Sequence, residues 1–105
     1  MKEVARLRTS LEPGELLRVE HPPYDICVAN VDGELLAIED ACPHSSQSLS
    51  CGRIVDCAVV CPSHDWLIDL RTGRVLEPSW TDASNPTYLV RMEGSELVVY
   101  DVNDA

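Results

Sequence analysis

Residues 61–78 read CPSHDWLIDLRTGRVLEP, from Cys61 to Pro78. A Cys-Pro pair opens the stretch, and His64 follows the cysteine after two residues. Pro62–Asp65 predicts a tight turn, because proline and short polar side chains favour turn geometry. Trp66–Leu70 then reads as a strand, and Arg71-Thr72-Gly73-Arg74 as the turn into the next. The stretch is a loop bearing a thiol and an imidazole, carried by β structure.

The same pattern extends outward through the chain. Apolar runs with period two, or short continuous ones between turn residues, predict further strands. They fall at Val4–Leu7, Leu16–Glu20, Ile26–Val31, Leu35–Glu39, Val59–Cys61, Thr87–Met92 and Leu97–Val102. Asp32-Gly33 between two of them predicts a hairpin, since glycine accepts a positive φ. Glu93-Gly94-Ser95 predicts another. Helical periodicity is missing, apart from one turn expected over Thr9–Glu12 and ended by Pro13-Gly14. Short strands spaced about 8–12 residues apart predict an all-β sandwich or barrel-like fold.

Two stretches interrupt this rhythm. One is the Pro62–Asp65 turn. The other is Ala41–Arg53, rich in Ser, Pro, Cys and Gly, and it contains a second Cys-Pro pair followed by histidine: Cys42-Pro43-His44. Sixteen residues separate His44 from Cys61, giving C-x-H-x16-C-x2-H. Each loop thus offers one thiolate and one imidazole. Tetrahedral zinc accepts such donors, although zinc fingers usually pair like with like, two Cys and then two His. Mixed loops suit a [2Fe-2S] cluster whose two irons differ, one held by two Cys and the other by two His. In that reading Cys42 and Cys61 hold the inner iron, and His44 and His64 the outer one. Two ferric ions, two sulfides and two thiolates sum to no net charge, and one electron makes the cluster singly negative. No acid–base or nucleophilic machinery is legible, so electron carriage without a small-molecule substrate is the expected role.

The residues just quoted resemble those of Rieske-type [2Fe-2S] ferredoxins. Cys61–Pro78 is similar to that family's C-P-x-H-G-W-x-F-D-x-x-T-G pattern. Thr9–Val19 (TSLEPGELLRV) and Val31–His44 (VDGELLAIEDACPH) resemble the ferredoxin components of bacterial ring-hydroxylating dioxygenase systems. The resemblance implies an antiparallel β-sandwich, one domain over residues 1–105, with a cluster-binding subdomain of two loops at about 41–80. It also implies an NAD(P)H-dependent reductase upstream and a terminal oxygenase downstream. The small Rieske-like subunit of an assimilatory nitrite reductase is a second context for such a cluster, and a redox-inert zinc module for protein interactions is a third reading.

Departures from the family pattern matter. Ser46 and Asp65 stand where glycine is usual, and Ile68 where an aromatic residue is usual. Asp65 either favours the oxidised cluster through its charge, or points to solvent and caps the turn. Respiratory Rieske proteins add one Cys to each loop and form a disulfide; Gln47 and Ser63 stand at those positions here. Their cluster-facing Ser and Tyr hydroxyls are replaced by Trp66 and Ile68. Fewer donors to sulfur imply a potential in the low part of the Rieske range.

Composition sets the surroundings. The chain has 105 residues, 18 acidic and 8 basic, for a formal charge of −10. Such a surface repels phosphate backbones and excludes nucleic acid as a partner. No run reaches the ~20 apolar residues of a membrane span, and the charged start MKEVARLR, with no apolar run of signal-peptide length, is not expected to direct secretion. Five cysteines, an odd number, argue against a disulfide framework and for a reducing, cytoplasmic setting. Residues 1–40 and 76–105 each carry −5, whereas 41–75 balance three acids with three arginines. The candidate ligands lie in that neutral segment. Of the remaining residues, Cys27 is expected in the core, Cys51 and Cys57 as buried or half-buried thiols, and His21 in an exposed turn. Trp66 is expected beneath the second loop, and Pro78 at the start of a third, shielding loop. Trp80 is left between packing on the loops and a docking surface. Arg71 and Arg74 read as solvated charges.

Overall fold

The computed structural model describes residues 1–102. Its strands are β1 (Lys2–Leu7), β2 (Leu16–Val19), β3 (Ile26–Val31), β4 (Glu34–Glu39), β5 (Arg53–Val55), β6 (Ala58–Val60), β7 (Leu67–Asp69), β8 (Val75–Glu77), β9 (Thr87–Glu93) and β10 (Glu96–Asp101). They form two antiparallel sheets, one of six strands in the order β1-β10-β9-β4-β3-β2 and one of four in the order β5-β6-β7-β8. The all-β expectation holds, and the eight expected strands lie within two residues of the observed ones. β5 was not expected, and β8 only as the strand that the 71–74 turn leads into: with three residues each, they have too few inward positions to show an alternation. The expected helical turn over Thr9–Glu12 is absent. The chain instead turns at Glu12–Glu15, where the Glu15 amide donates to the Glu12 carbonyl at 3.0 Å. The expected 1–105 unit extends to residues 103–105, which lie outside the described residues.

Strand β3 explains how the two sheets are joined. Residues 26–30 are all buried, because both faces of the strand are covered. Side chains alternate across a strand, so Ile26 and Val28 face one core while Cys27 and Ala29 face the other. The first core gathers Val19, Ala37, Val90, Leu97 and Val99 from strands across the large sheet, which must curl to bring them together. The second packs Ile38 of β4 against Leu49, Val59, Ile68, Leu70 and Val75 of the loops and small sheet. Cys27 is the core residue it was expected to be.

Turns obey local sterics. In the β3–β4 hairpin, Val31 pairs with Glu34, leaving a two-residue loop in which Asp32 has φ 53° and Gly33 φ 96°. Two positive φ values in succession match the twist of the flanking strands. Gly73 has φ 79°, and a Cβ there would sit 2.0 Å from the Asn85 carbonyl oxygen. Only glycine fits that crossing. Among the described residues, no helix is long and apolar enough to cross a membrane.

Candidate metal centre

Each candidate loop closes on its own cysteine. In the first, between β4 and β5, the Cys42 amide donates to Gln47 O at 2.8 Å, and the Ser46 amide donates back to Cys42 O at 2.8 Å. In the second, between β6 and β7, the Cys61 amide donates to Trp66 O at 2.7 Å. Turns this tight need left-handed residues: Ser46 has φ 60°, His64 65° and Asp65 56°. Ser46 and Asp65 therefore occupy the two positions where glycine was the expected residue, in the conformation glycine adopts most easily.

The structure brings the four candidates together. The thiols of Cys42 and Cys61 are buried, at 2% and 0% exposure, and belong to the core between the sheets. The imidazoles of His44 and His64 are exposed. Donor atoms of Cys42, His44 and Cys61 lie within 4.8 Å of one another. Cys42 Sγ is 3.1 Å from His44 Nδ1, and His44 Nε2 is 2.9 Å from His64 Nδ1. His64 thus joins the group through His44. Two soft sulfurs at an apolar floor and two nitrogens at a wet rim make an asymmetric donor set. That set fits a group with one thiolate-bound and one imidazole-bound iron.

Burial pushes the Cys61 thiol above its ordinary range, helped by a hydrogen bond with Cys42. The Ser63 backbone and the Ser45 side chain oppose this rise. Ser45 is thus a functional candidate that sequence reasoning missed, since a serine in a serine-rich loop carries no signal of its own. Its presence also tempers the expectation of few donors to the sulfurs.

Two buried polar residues hold the loops and were likewise not expected. Asp40, 7% exposed, accepts from the Ser50 amide at 2.7 Å and from the Ser48 and Ser50 hydroxyls at 2.7 and 2.8 Å. Charge-assisted bonds of this kind are among the stronger ones, and they fix the far side of the first loop. Asn85 donates through Nδ2 to Glu39 O at 3.0 Å and Ala41 O at 2.8 Å. Its amide donates to Gly73 O at 2.7 Å. One side chain and its backbone so tie β4, the first loop and the β7–β8 turn. The only sequence signal for Asp40 is an acid at a strand end before a serine-rich loop; for Asn85 there is none.

Aromatic residues extend the site to the surface. Trp66 packs against the core as expected, but its indole also stacks on the His44 ring, with centroids 4.4 Å apart. Trp80 stands edge-on to Trp66, centroids 5.8 Å apart and planes at 89°. Other expectations shift. Cys51 is exposed rather than buried or half-buried, Cys57 is half-buried, and all five cysteines are free. His21 is half-buried, in a turn where its amide donates to Asp25 Oδ1 at 3.3 Å. Arg71 pairs with Glu34 through both guanidinium nitrogens and holds that carboxyl below the usual range. So exposed a pair contributes little stability.

Known proteins are similar to this chain in sequence and fold. Residues 2–88 match the Rieske [2Fe-2S] domain family. The biphenyl dioxygenase ferredoxin subunit of Pseudomonas sp. (strain KKS102) is 39% identical over 88 residues, spanning 83% of this chain and 80% of the relative. The 3-phenylpropionate/cinnamic acid dioxygenase ferredoxin subunit of Shigella boydii serotype 4 (strain Sb227) is 41% identical over 87 residues, 82% of this chain and 80% of the relative. A chain in a solved complex of reduced oxygenase and oxidized ferredoxin in carbazole 1,9a-dioxygenase superposes with a TM-score of 0.79 at 25% identity. It covers 90% of this chain and 97% of that one. A family match across most of the sequence meets a donor set of the right chemistry: the chain belongs to the Rieske [2Fe-2S] domain family.

Proposed function

We propose that Cys42, His44, Cys61 and His64 are the ligands of one [2Fe-2S] cluster, the cysteines on the inner iron and the histidines on the outer. The observation that carries this is the pairing of two buried thiols with two exposed imidazoles on adjoining loops. When bound, the cluster supplies a site that takes up and releases single electrons. The chain's own residues do the rest. Cys42 and Cys61 seat the sulfurs in an apolar floor that excludes water, and Asp40 and Asn85 hold the loops at a fixed spacing. His44 and His64 present their rings outward, at the edge where a partner meets the protein.

The chain acts as the ferredoxin of a multicomponent oxygenase system, taking electrons from an NAD(P)H-dependent reductase and passing them to a terminal oxygenase. Its likeness to ferredoxin subunits of biphenyl and phenylpropionate dioxygenases supports this reading. It forms a single Rieske domain over 1–105, with the cluster-binding part at about 41–80. Five free thiols, Cys51 exposed among them, fit the cytoplasm as its compartment.

Electron paramagnetic resonance tests the cofactor. The dithionite-reduced protein is expected to show an anisotropic signal with average g below the free-electron value. A colourless, silent sample would mean zinc or no metal. His64→Cys is expected to retain some cluster at a lower potential; unchanged redox behaviour would remove His64 from the ligand set.

A further inference from the structure

The indole of Trp80 is 79% exposed, an unusual place for the largest apolar side chain. It rests edge-on against Trp66, which stacks on His44, so aromatic surface runs unbroken from a candidate ligand to solvent. Beside it lies an open cleft of about 340 Å³ lined by His64, Asp65, Trp66, Glu77, Pro78 and Trp80. The charged members of that lining, Asp65 and Glu77, are both acidic and both exposed. Glu77 is the first charge of the flank 76–105, which carries −5. The surface is therefore an aromatic centre with an acidic rim.

We propose that Trp80 is the anchor of the docking face, and that its occupant is a redox protein presenting an apolar recess ringed by lysine and arginine. Three observations agree on this. Trp is enriched among the few residues that dominate binding energy, especially at the centre of a patch. Trp80 is braced by Trp66, so little freedom is lost when it is covered. The rim selects a basic partner by charge complementarity. Docking there places the partner against the His44–His64 edge. A cluster held by His44 and His64 at that edge would pass one electron to the partner's oxidised centre, with no bond made or broken and no proton moved. The proposal rests on the carrier role given above.

Ferricytochrome c, a haem protein whose apolar redox edge is ringed by lysines, serves as the probe for holoprotein carrying Trp80→Ala or Trp80→Phe. In Trp80→Ala the Kd at low ionic strength is expected to rise at least about tenfold, with Trp80→Phe within about threefold of wild type. Reduction of hexaamminecobalt(III), too small to need a docking face, is expected to be unchanged. The cluster signal should also be intact, since the altered side chain is mostly in water. A Kd for Trp80→Ala equal to wild type overturns the anchor. A wild-type protein that passes no electron to either oxidant overturns the carrier role instead, and the Kd comparison still decides the anchor.

Discussion

The imidazole of His44 lies nearly parallel to the indole of Trp66, with centroids 4.4 Å apart and planes 14° from parallel. His44 comes from the first loop and Trp66 from the end of the second, so the stack clamps one loop against the other. Aromatic pairs of this kind contribute about 0.5–1.5 kcal/mol beyond their buried area. Trp66→Leu is expected to lower stability by about 1–3 kcal/mol and to broaden the cluster's paramagnetic signal as the His44 ring loses its fixed orientation. Denaturant melts and the spectrum of the reduced protein check both. An unbroadened signal would mean that metal ligation alone orients the ring.

A second expectation concerns the potential. Donors aimed at ligand sulfur stabilise the added electron, and the Ser45 side chain and Ser63 backbone both hydrogen-bond Cys61. The midpoint is expected in the low part of the Rieske range, because Trp66 and Ile68 supply no hydroxyl at the second loop. Ser45→Ala should lower it further, by on the order of 20–60 mV for a net hydrogen bond of about 0.5–1.5 kcal/mol in a one-electron couple. Protein-film voltammetry of the two proteins settles the point, and equal midpoints would deny Ser45 any influence on the electron.

Asp65 combines a left-handed backbone, φ 56°, with an exposed carboxylate beside His64. A side chain in that conformation costs roughly 1–2 kcal/mol, and glycine returns part of the gain through its freer unfolded chain. Asp65→Gly should thus raise Tm by a few degrees. It should also move the midpoint upward, since a negative charge near the cluster opposes the incoming electron. A higher Tm with an unmoved midpoint would leave Asp65 only the turn, with its charge lost in solvent.

Glu39 gives a dependence on pH. Burial raises its carboxyl above the usual range, so the folded chain holds this proton more tightly than the unfolded one. Stability from this group is present below the unfolded carboxylate pKa of about 4.3. It is lost as pH rises through the folded value. Glu39→Gln should therefore melt a degree or two higher than wild type near pH 7, roughly, and no higher below about pH 4. Burial, Asp101 and Glu39 together push the Tyr88 hydroxyl upward. The same variant should let Tyr88 ionise at lower pH in an ultraviolet titration.

What the sequence made legible, and what it concealed, divides along the reach of each interaction. Strands such as β3 and β10 showed themselves because apolar side chains recur at a spacing of one or two residues. The candidate ligands did so because C-x-H and C-x2-H are local patterns in which two donors sit on one turn. β5 and β8 were too short to show a period. Ser45, Asp40 and Asn85 act through single hydrogen bonds whose partners are chosen only when the chain has folded. Asn85 meets Glu39 across 46 positions, and no local pattern records such a distance. The left-handed backbone at Ser46 and Asp65 was hidden for another reason: the residues that normally announce it are glycines, and here they are not.

The clamp around Asn85 bears on the speed of electron transfer. Its carboxamide bonds to two carbonyls at the end of β4 and the start of the first loop, and its backbone to a third in the β7–β8 turn. A frame tied in this way resists sliding of the first loop against the β7–β8 turn. If the four proposed ligands hold a cluster, rearrangement on reduction would fall mainly on the ligand bonds and on solvent at the exposed imidazoles. A cluster seated between loops so tied would meet a small protein contribution to the reorganisation energy, which favours exchange with partners that offer little driving force.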